Sequence, residues 1–214
     1  MHRSKDVGNE LIEARELSNQ WLAVATEMLD GTPIDNATPR QRAAVALHQL
    51  SFDHHAAIRL LIDAEMMPPA RALYRPQVDA YVRGLWLHVG ASDTEADRFL
   101  RTGTIPKIDP MLSAISRSDA ALWGPLAEVK QSIWNQLCDQ THGGKAQVLS
   151  RQTADEIGRQ FSASEALRYL MASTNLSALA AIGIAAVPDR VDLADALLRR
   201  FREIFPRAHA LGTR

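Results

Sequence analysis

At 214 residues, with 46% hydrophobic and 23% charged side chains and a formal net charge of -1, the chain has the composition of a soluble globular domain large enough for one good core. The near-zero charge leaves no bulk nucleic-acid footprint, although 20 of the 24 basic residues are arginine, the side chain suited to bidentate contact with phosphate or carboxylate. A lone Cys138 excludes an intramolecular disulfide and a cysteine-based zinc site, and an N-terminus without an apolar secretion segment points to a cytoplasmic protein.

The periodicity predicts helices throughout, with no sustained apolar/polar alternation of the kind a half-buried strand shows. A first helix is expected over about 9–30, burying Leu11, Leu17, Trp21, Val24, Ala25 and Met28 and stopping at Gly31 and Pro33. Thr38 reads as an N-cap, with Pro39 at the first helical position and Gln41 completing a capping box. This second helix carries His48, His54, His55 and Arg59 to about Met66 and ends at Pro68-Pro69. A third helix follows over 70–89 and ends at Gly90, and Pro76 predicts either a kink in it or a start close to Arg75. Ser92 and Glu95 form a second capping box and open a short helix to about Arg101, while Asp109-Pro110 has the cap-then-proline pattern of another.

A helix over 125–140 is expected to stop at His142-Gly143-Gly144, after which 145–161 reads as a loop with a helical turn or an irregular excursion. Ser162 and Glu165 make a third capping box before an alanine-rich helix ended by Pro188. Its stretch 170–187 carries no charge and could mimic a membrane span, yet it is only weakly hydrophobic and reads as a buried bundle helix. A last amphipathic helix over about 190–205 is closed by Pro206. No repeat, low-complexity tract or linker interrupts the chain, which reads as one domain.

Setting successive residues about 100° apart, the 70–89 helix puts Tyr74, Val78, Val82, Leu85 and Val89 on one side and Leu73, Ala80, Gly84 and Leu87 on another. Between them Arg71, Arg75, Asp79 and Arg83 form a polar stripe, with Trp86 beside it. A helix apolar around most of its circumference belongs inside a bundle, so its charges need partners or a solvated cavity. Three arginines there share one aspartate. His142 follows a helix end beside two glycines with accessible amides. Arg75, Asp79, Arg83 and His142, with His54 or His55, therefore form a candidate site for a phosphate or carboxylate, His142 being the candidate acid/base catalyst. Without a ligand, the same residues read as a buried charge network that fixes helix register.

A metal site has weaker support. His48 and His55 share a helix face and Asp139-x-x-His142 has a carboxylate-x-x-His spacing, but the interior glutamates that a di-iron bundle needs are missing. No glycine-rich phosphate loop and no nucleophile elbow occurs.

The run SFDHHAAIRLLIDAEMMPPARALYRPQVDAYVRGLWLHVGAS, followed by a helix ending in THGG, resembles a group of bacterial helical proteins. In that group a His-rich helix precedes an Arg-Pro helix with an acidic residue and a further arginine before Trp-Leu, and then a Thr-His turn. The likeness covers about 51–144, with Arg75, Pro76, Asp79, Arg83, Trp86 and His142 in the expected places and aspartate where glutamate is commoner. It implies a broadly HEPN-like bundle, a superfamily rich in toxin, antitoxin and phage-defence proteins, whose nucleases cut RNA with an arginine and a following histidine separated by four to six residues. Arg83 with His88, Arg42 with His48, and Arg202 with His209 have that spacing here. In an unbroken helix, however, residues five apart point about 140° away from each other, which turns His88 off the Arg83 stripe.

The expectation is thus a single all-α domain of five or six longer helices, centred on the Arg75 helix and paired as a homodimer. It binds RNA or a nucleotide through the Arg/Asp/His cluster, with no cofactor and no membrane. The alternative is a non-enzymatic interaction protein whose cluster only fixes packing, and the lesser one a metal-binding bundle.

Overall fold

In the computed structural model, which describes residues 2–142, 144–149 and 162–206, helix follows helix. The order is α1 (His2–Leu29), α2 (Pro39–Asp63), α3 (Met67–Leu85) running on into a π-helical turn (Trp86–Gly90), α4 (Asp93–Thr102), α5 (Ile108–Ser118), α6 (Ala120–Thr141), α7 (Lys145–Leu149), α8 (Ala163–Ala186) and α9 (Val191–Ile204). No strand occurs among the described residues. The chain is an all-α bundle, and α1, α2, α3, α6, α8 and α9 are its longer members.

Local chemistry sets most of the boundaries. Thr38 accepts from the Gln41 amide at 3.2 Å while the Gln41 side chain accepts from the Thr38 amide at 2.9 Å, and Ser92 with Glu95 repeats this reciprocal cap. At α8 only half of the expected box forms. Ser162 accepts from the Glu165 amide, but the Glu165 carboxylate turns to the Arg71 guanidinium at 2.7 Å. Asp109 does not cap α5 either: Lys107 holds the N-cap position, and the Asp109 carboxylate pairs with Lys130 of α6 at 2.6 Å. α6 starts earlier than expected, capped by Asp119, which accepts from the Leu122 amide at 3.0 Å. Gly103 ends α4 in the left-handed conformation (φ 69°) that costs glycine nothing.

The prolines act differently from expectation. Pro68 and Pro69 lie inside the first turn of α3, where their missing amides have no intrahelical partner to lose. Helix α3 then continues through Pro76 without a break. The irregularity comes nearly three turns later, where the Ala91 amide reaches back five residues to the Trp86 carbonyl at 2.7 Å, the mark of a π-turn. Arg40 at the start of α2 fastens this turn. Its guanidinium donates to the carbonyls of Leu87 (2.6 Å) and Ala91 (2.7 Å) and to Asp93 (3.0 Å). A side chain on Gly90 would sit 3.1 Å from the Ile115 amide nitrogen, so the glycine lets α5 approach the turn closely.

Three apolar clusters make up the core. One joins α2, α3, the π-turn, α4, α5 and α8 around Trp86, Leu85, Ile115 and Ala180. A second joins α1, α8 and α9 around Trp21, Ala181 and Leu197, and a third joins α1, α2, α3 and α8 around Leu11, Ile58 and Leu170. Counting fully buried side chains, α8 enters all three and α2 and α3 enter two each, so the Arg75 helix shares the centre of the bundle with α2 and α8; α3 buries Ala80, Tyr81, Val82 and Leu85 and leaves Arg75, Asp79 and Arg83 of its stripe half-buried. Among the described residues α8 is also the one helix long and apolar enough to cross a membrane. Here its small side chains pack against neighbours on several sides.

Candidate functional site

The stripe on α3 divides. Arg71 is buried and pairs with Glu165 of α8, so it ties two helices together. Of the other three members, Arg75 reaches across to α6. Arg75 Nη1 donates to His142 Nε2 at 2.8 Å, which requires Nε2 to carry the lone pair and leaves the proton of the neutral ring on Nδ1. The same guanidinium lies 5.1 Å from the Trp134 ring centre, within cation–π reach. Its approach to Asp79 is loose, 3.9 Å from Nε to the carboxylate.

Arg83 is half-buried, and its Nε is out of contact with water and without a hydrogen-bond partner among the described residues. Asp79 feels both arginines. Burial holds its carboxyl above the usual range, and the attraction of Arg83 and Arg75 only partly offsets this. Two guanidinium groups therefore act on one half-buried carboxylate, and a single carboxylate balances only one of their two charges. Lys130, 5.5 Å from the Trp134 ring centre, is matched by Asp109.

The folding of the sequence brings the Arg75-Pro76 and Thr141-His142 pairs together. Thr141 Oγ1 lies 3.5 Å from the Ala72 carbonyl, the group that Pro76 deprives of its helical donor, although the hydroxyl proton is better placed toward Leu137 O at 2.8 Å. His142 is exposed at the end of α6, its amide bonded to the Cys138 carbonyl. The glycine amides expected beside it do not form an open pair: the Gly144 amide is taken by the Asp139 carbonyl at 2.7 Å, and Gly143 lies outside the described residues.

His54 and His55 are not drawn into this cluster. His55 is fully buried, with Nδ1 2.8 Å from Ser173 Oγ and Nε2 3.1 Å from Ser18 Oγ. The chain of bonds extends from Ser173 to Gln77 Oε1 (2.7 Å), with Ser51 donating to the Gln77 carbonyl and Thr174 to Ser18. Gln77 is on α3 but on the side away from the stripe, since two residues along a helix turn by about 200°. This network satisfies buried polar groups of α1, α2, α3 and α8 and has no opening for a ligand. Burial pushes the His55 ring down to about 3, with Arg59 acting in the same direction. His54 is half-buried and its ring is lowered by burial, partly offset by Asp53. Sequence spacing could not have found the network, because its serines come from positions far from His55 along the chain.

The remaining histidines also stand apart. His48 is 1% exposed, with neither ring nitrogen bonded, pressed between Gly84 and Gly183. Burial and then His88 hold it at about 3. Arg42, its partner by spacing, instead donates to the Ala37, Ile34 and Asp35 carbonyls. The charges acting on His88 are Asp189 and Arg40, not Arg83, and His209 lies outside the described residues. Neither of the Arg–His spacings that can be followed becomes a contact; the pair that does form is Arg75 with His142. Among the described residues no group of three or more His, Cys, Asp or Glu side chains could hold a metal.

Residues 48–207 match a family of unknown function (DUF6988). No curated protein and no solved structure matches the chain.

Proposed function

The chain belongs to that family, whose members share no assigned activity to transfer, and from its own geometry we propose that the α3–α6 seam binds a phosphate group of RNA or a nucleotide. The observation that carries this is the charge imbalance: among the described residues, half-buried Arg75 and Arg83 both act on the one carboxylate of Asp79. An anion would supply the counter-charge to the two guanidinium groups, and half-burial strengthens such contacts relative to water. In this reading Arg75 and Arg83 hold phosphate, Trp134 keeps Arg75 in place, and exposed His142 is the acid/base group if catalysis follows binding. The likeness to HEPN-like bundles favours RNA over a free nucleotide and a homodimer in a bacterial cytoplasmic defence setting.

One observation favours a purely structural role. Arg75 bridges α3 to α6 through His142 and Trp134, as a packing strut would. A thermal-shift screen with nucleotides, short RNA and divalent metals, run on wild type and Arg83→Ala, separates the two readings. A binding site requires stabilisation of wild type by a phosphate ligand and its loss in Arg83→Ala. A structural network requires no ligand response and a variant weakened by about 3 to 5 kcal/mol.

A further inference from the structure

A cavity of about 480 Å³ lies on another part of the bundle, between α1, α8 and α9 and distant in sequence from every member of the arginine cluster. Its volume is in the range of small-molecule sites. The floor is apolar: Leu17 from α1, Leu167 and Met171 from α8, and Ile204 and Phe205 at the end of α9. The mouth is acidic, carrying Glu10 and Glu13 from α1 and Glu203 from α9.

Among the described residues the one cation lining the cavity, Arg200, is already engaged with Glu203 at 2.6 Å. Glu10 and Glu13 are exposed and, among the described residues, have no ion-pair or hydrogen-bond partner. Arg15, the nearest basic residue along α1, is committed to Asp63 and the Ile62 carbonyl. Spaced three apart, the two glutamates lie on the same side of the helix and repel. A positive group between them would relieve that repulsion, while an apolar body attached to it would cover the floor.

We propose that this cavity is a binding site for an organic cation, an ammonium head carried on a compact apolar body, with Glu10 and Glu13 receiving the head and Met171, Leu17 and Phe205 the body. Its concave shape suits a small ligand more than an extended partner helix, which would leave the depth between α1 and α9 unfilled. The site is independent of the phosphate reading at α3–α6, and either can fail without the other.

Three probes with closely similar bodies test it: phenethylammonium, 2-phenylethanol and 3-phenylpropionate, titrated into the full chain and its variants and followed by isothermal titration calorimetry. The site requires saturable binding that favours the ammonium over both other probes. It further requires at least a fivefold loss of ammonium affinity in E10Q/E13Q with the alcohol unchanged, and loss of all binding in M171W, whose far-UV circular dichroism matches wild type. Should M171W misfold, Leu167→Phe serves as the milder filling variant with the same required loss. Absence of saturable ammonium binding, equal affinity for all three probes, or binding that survives filling of the cavity overturns the proposal. So does capture of a lysine-bearing amphipathic peptide without any small ammonium.

Discussion

Lowering the pH from about 7 to about 5 should strip the bundle of roughly 4 kcal/mol of stability through two buried histidines alone. His48 and His55 are 1% and 0% exposed, and burial holds both rings at about 3 in the folded chain. In the unfolded chain each returns to about 6.5 and takes up a proton that the native state refuses. Because the folded value is the depressed one, stability is intact above about pH 6.5 and falls as pH drops through the window down to about 3. Between pH 7 and pH 5 each ring costs about 2 kcal/mol, a large share of an ordinary total of roughly 5 to 15 kcal/mol. Half-buried His54 and His88 are lowered too and act in the same direction, while Asp79, raised by burial, opposes them only as it protonates. Urea unfolding followed by circular dichroism at pH 7, 6 and 5 gives the slope directly. His48→Leu should remove about half of the buried contribution. A midpoint that does not move over this range would refute the reasoning, because it would mean that these rings are hydrated or bonded in their charged form.

Gly183→Ala would place a methyl group 2.8 Å from His48 Cδ2 and Nε2, and denaturant unfolding should show a loss of about 1 to 3 kcal/mol. Glu165→Ala removes the carboxylate 2.7 Å from the Arg71 guanidinium, and the same assay should show a loss of about 1.5 to 3 kcal/mol, the worth of a charged hydrogen bond. Trp134→Ala removes the ring beneath Arg75; phosphate affinity should fall several-fold by calorimetry while stability changes by only about 1 kcal/mol. Sedimentation should give a dimer across the micromolar range, and a monomer throughout would remove the homodimer from the account.

The helices were legible because apolar periodicity and two complete capping boxes state them locally. What the sequence hid depends on partners far along the chain. The start of α1 at His2 carries no apolar rhythm to announce it. The π-turn depends on Arg40, reaching over from α2 to the carbonyls of Leu87 and Ala91. On a helical wheel Arg71 looks equivalent to Arg75, yet one meets Glu165 from α8 and the other His142 from α6. His55 looked like a ligand candidate until Ser18 and Ser173 took both its nitrogens. The central position of α8 was masked by alanine, whose small contribution to hydropathy conceals how closely it lets neighbouring helices approach. For the site, the arginine excess and the Arg-Pro and Thr-His pairs were readable, whereas Trp134 was not singled out because its position on the seam is set by how α6 crosses α3.

The central claim is that Arg75 and Arg83 are free to hold phosphate, and the most direct measurement is the affinity of wild type and Arg83→Ala for a short single-stranded RNA across salt. For phosphate contacts, the logarithm of affinity should fall linearly with the logarithm of salt between about 50 and 200 mM, with a slope shallower in the variant by roughly 0.7 for the contact removed. Arg83→Ala should bind at least tenfold more weakly and unfold at nearly the wild-type midpoint. Equal affinity and slope in the two proteins, or no RNA binding by wild type at low salt together with a strongly destabilised variant, would contradict the account and leave the cluster as a packing device.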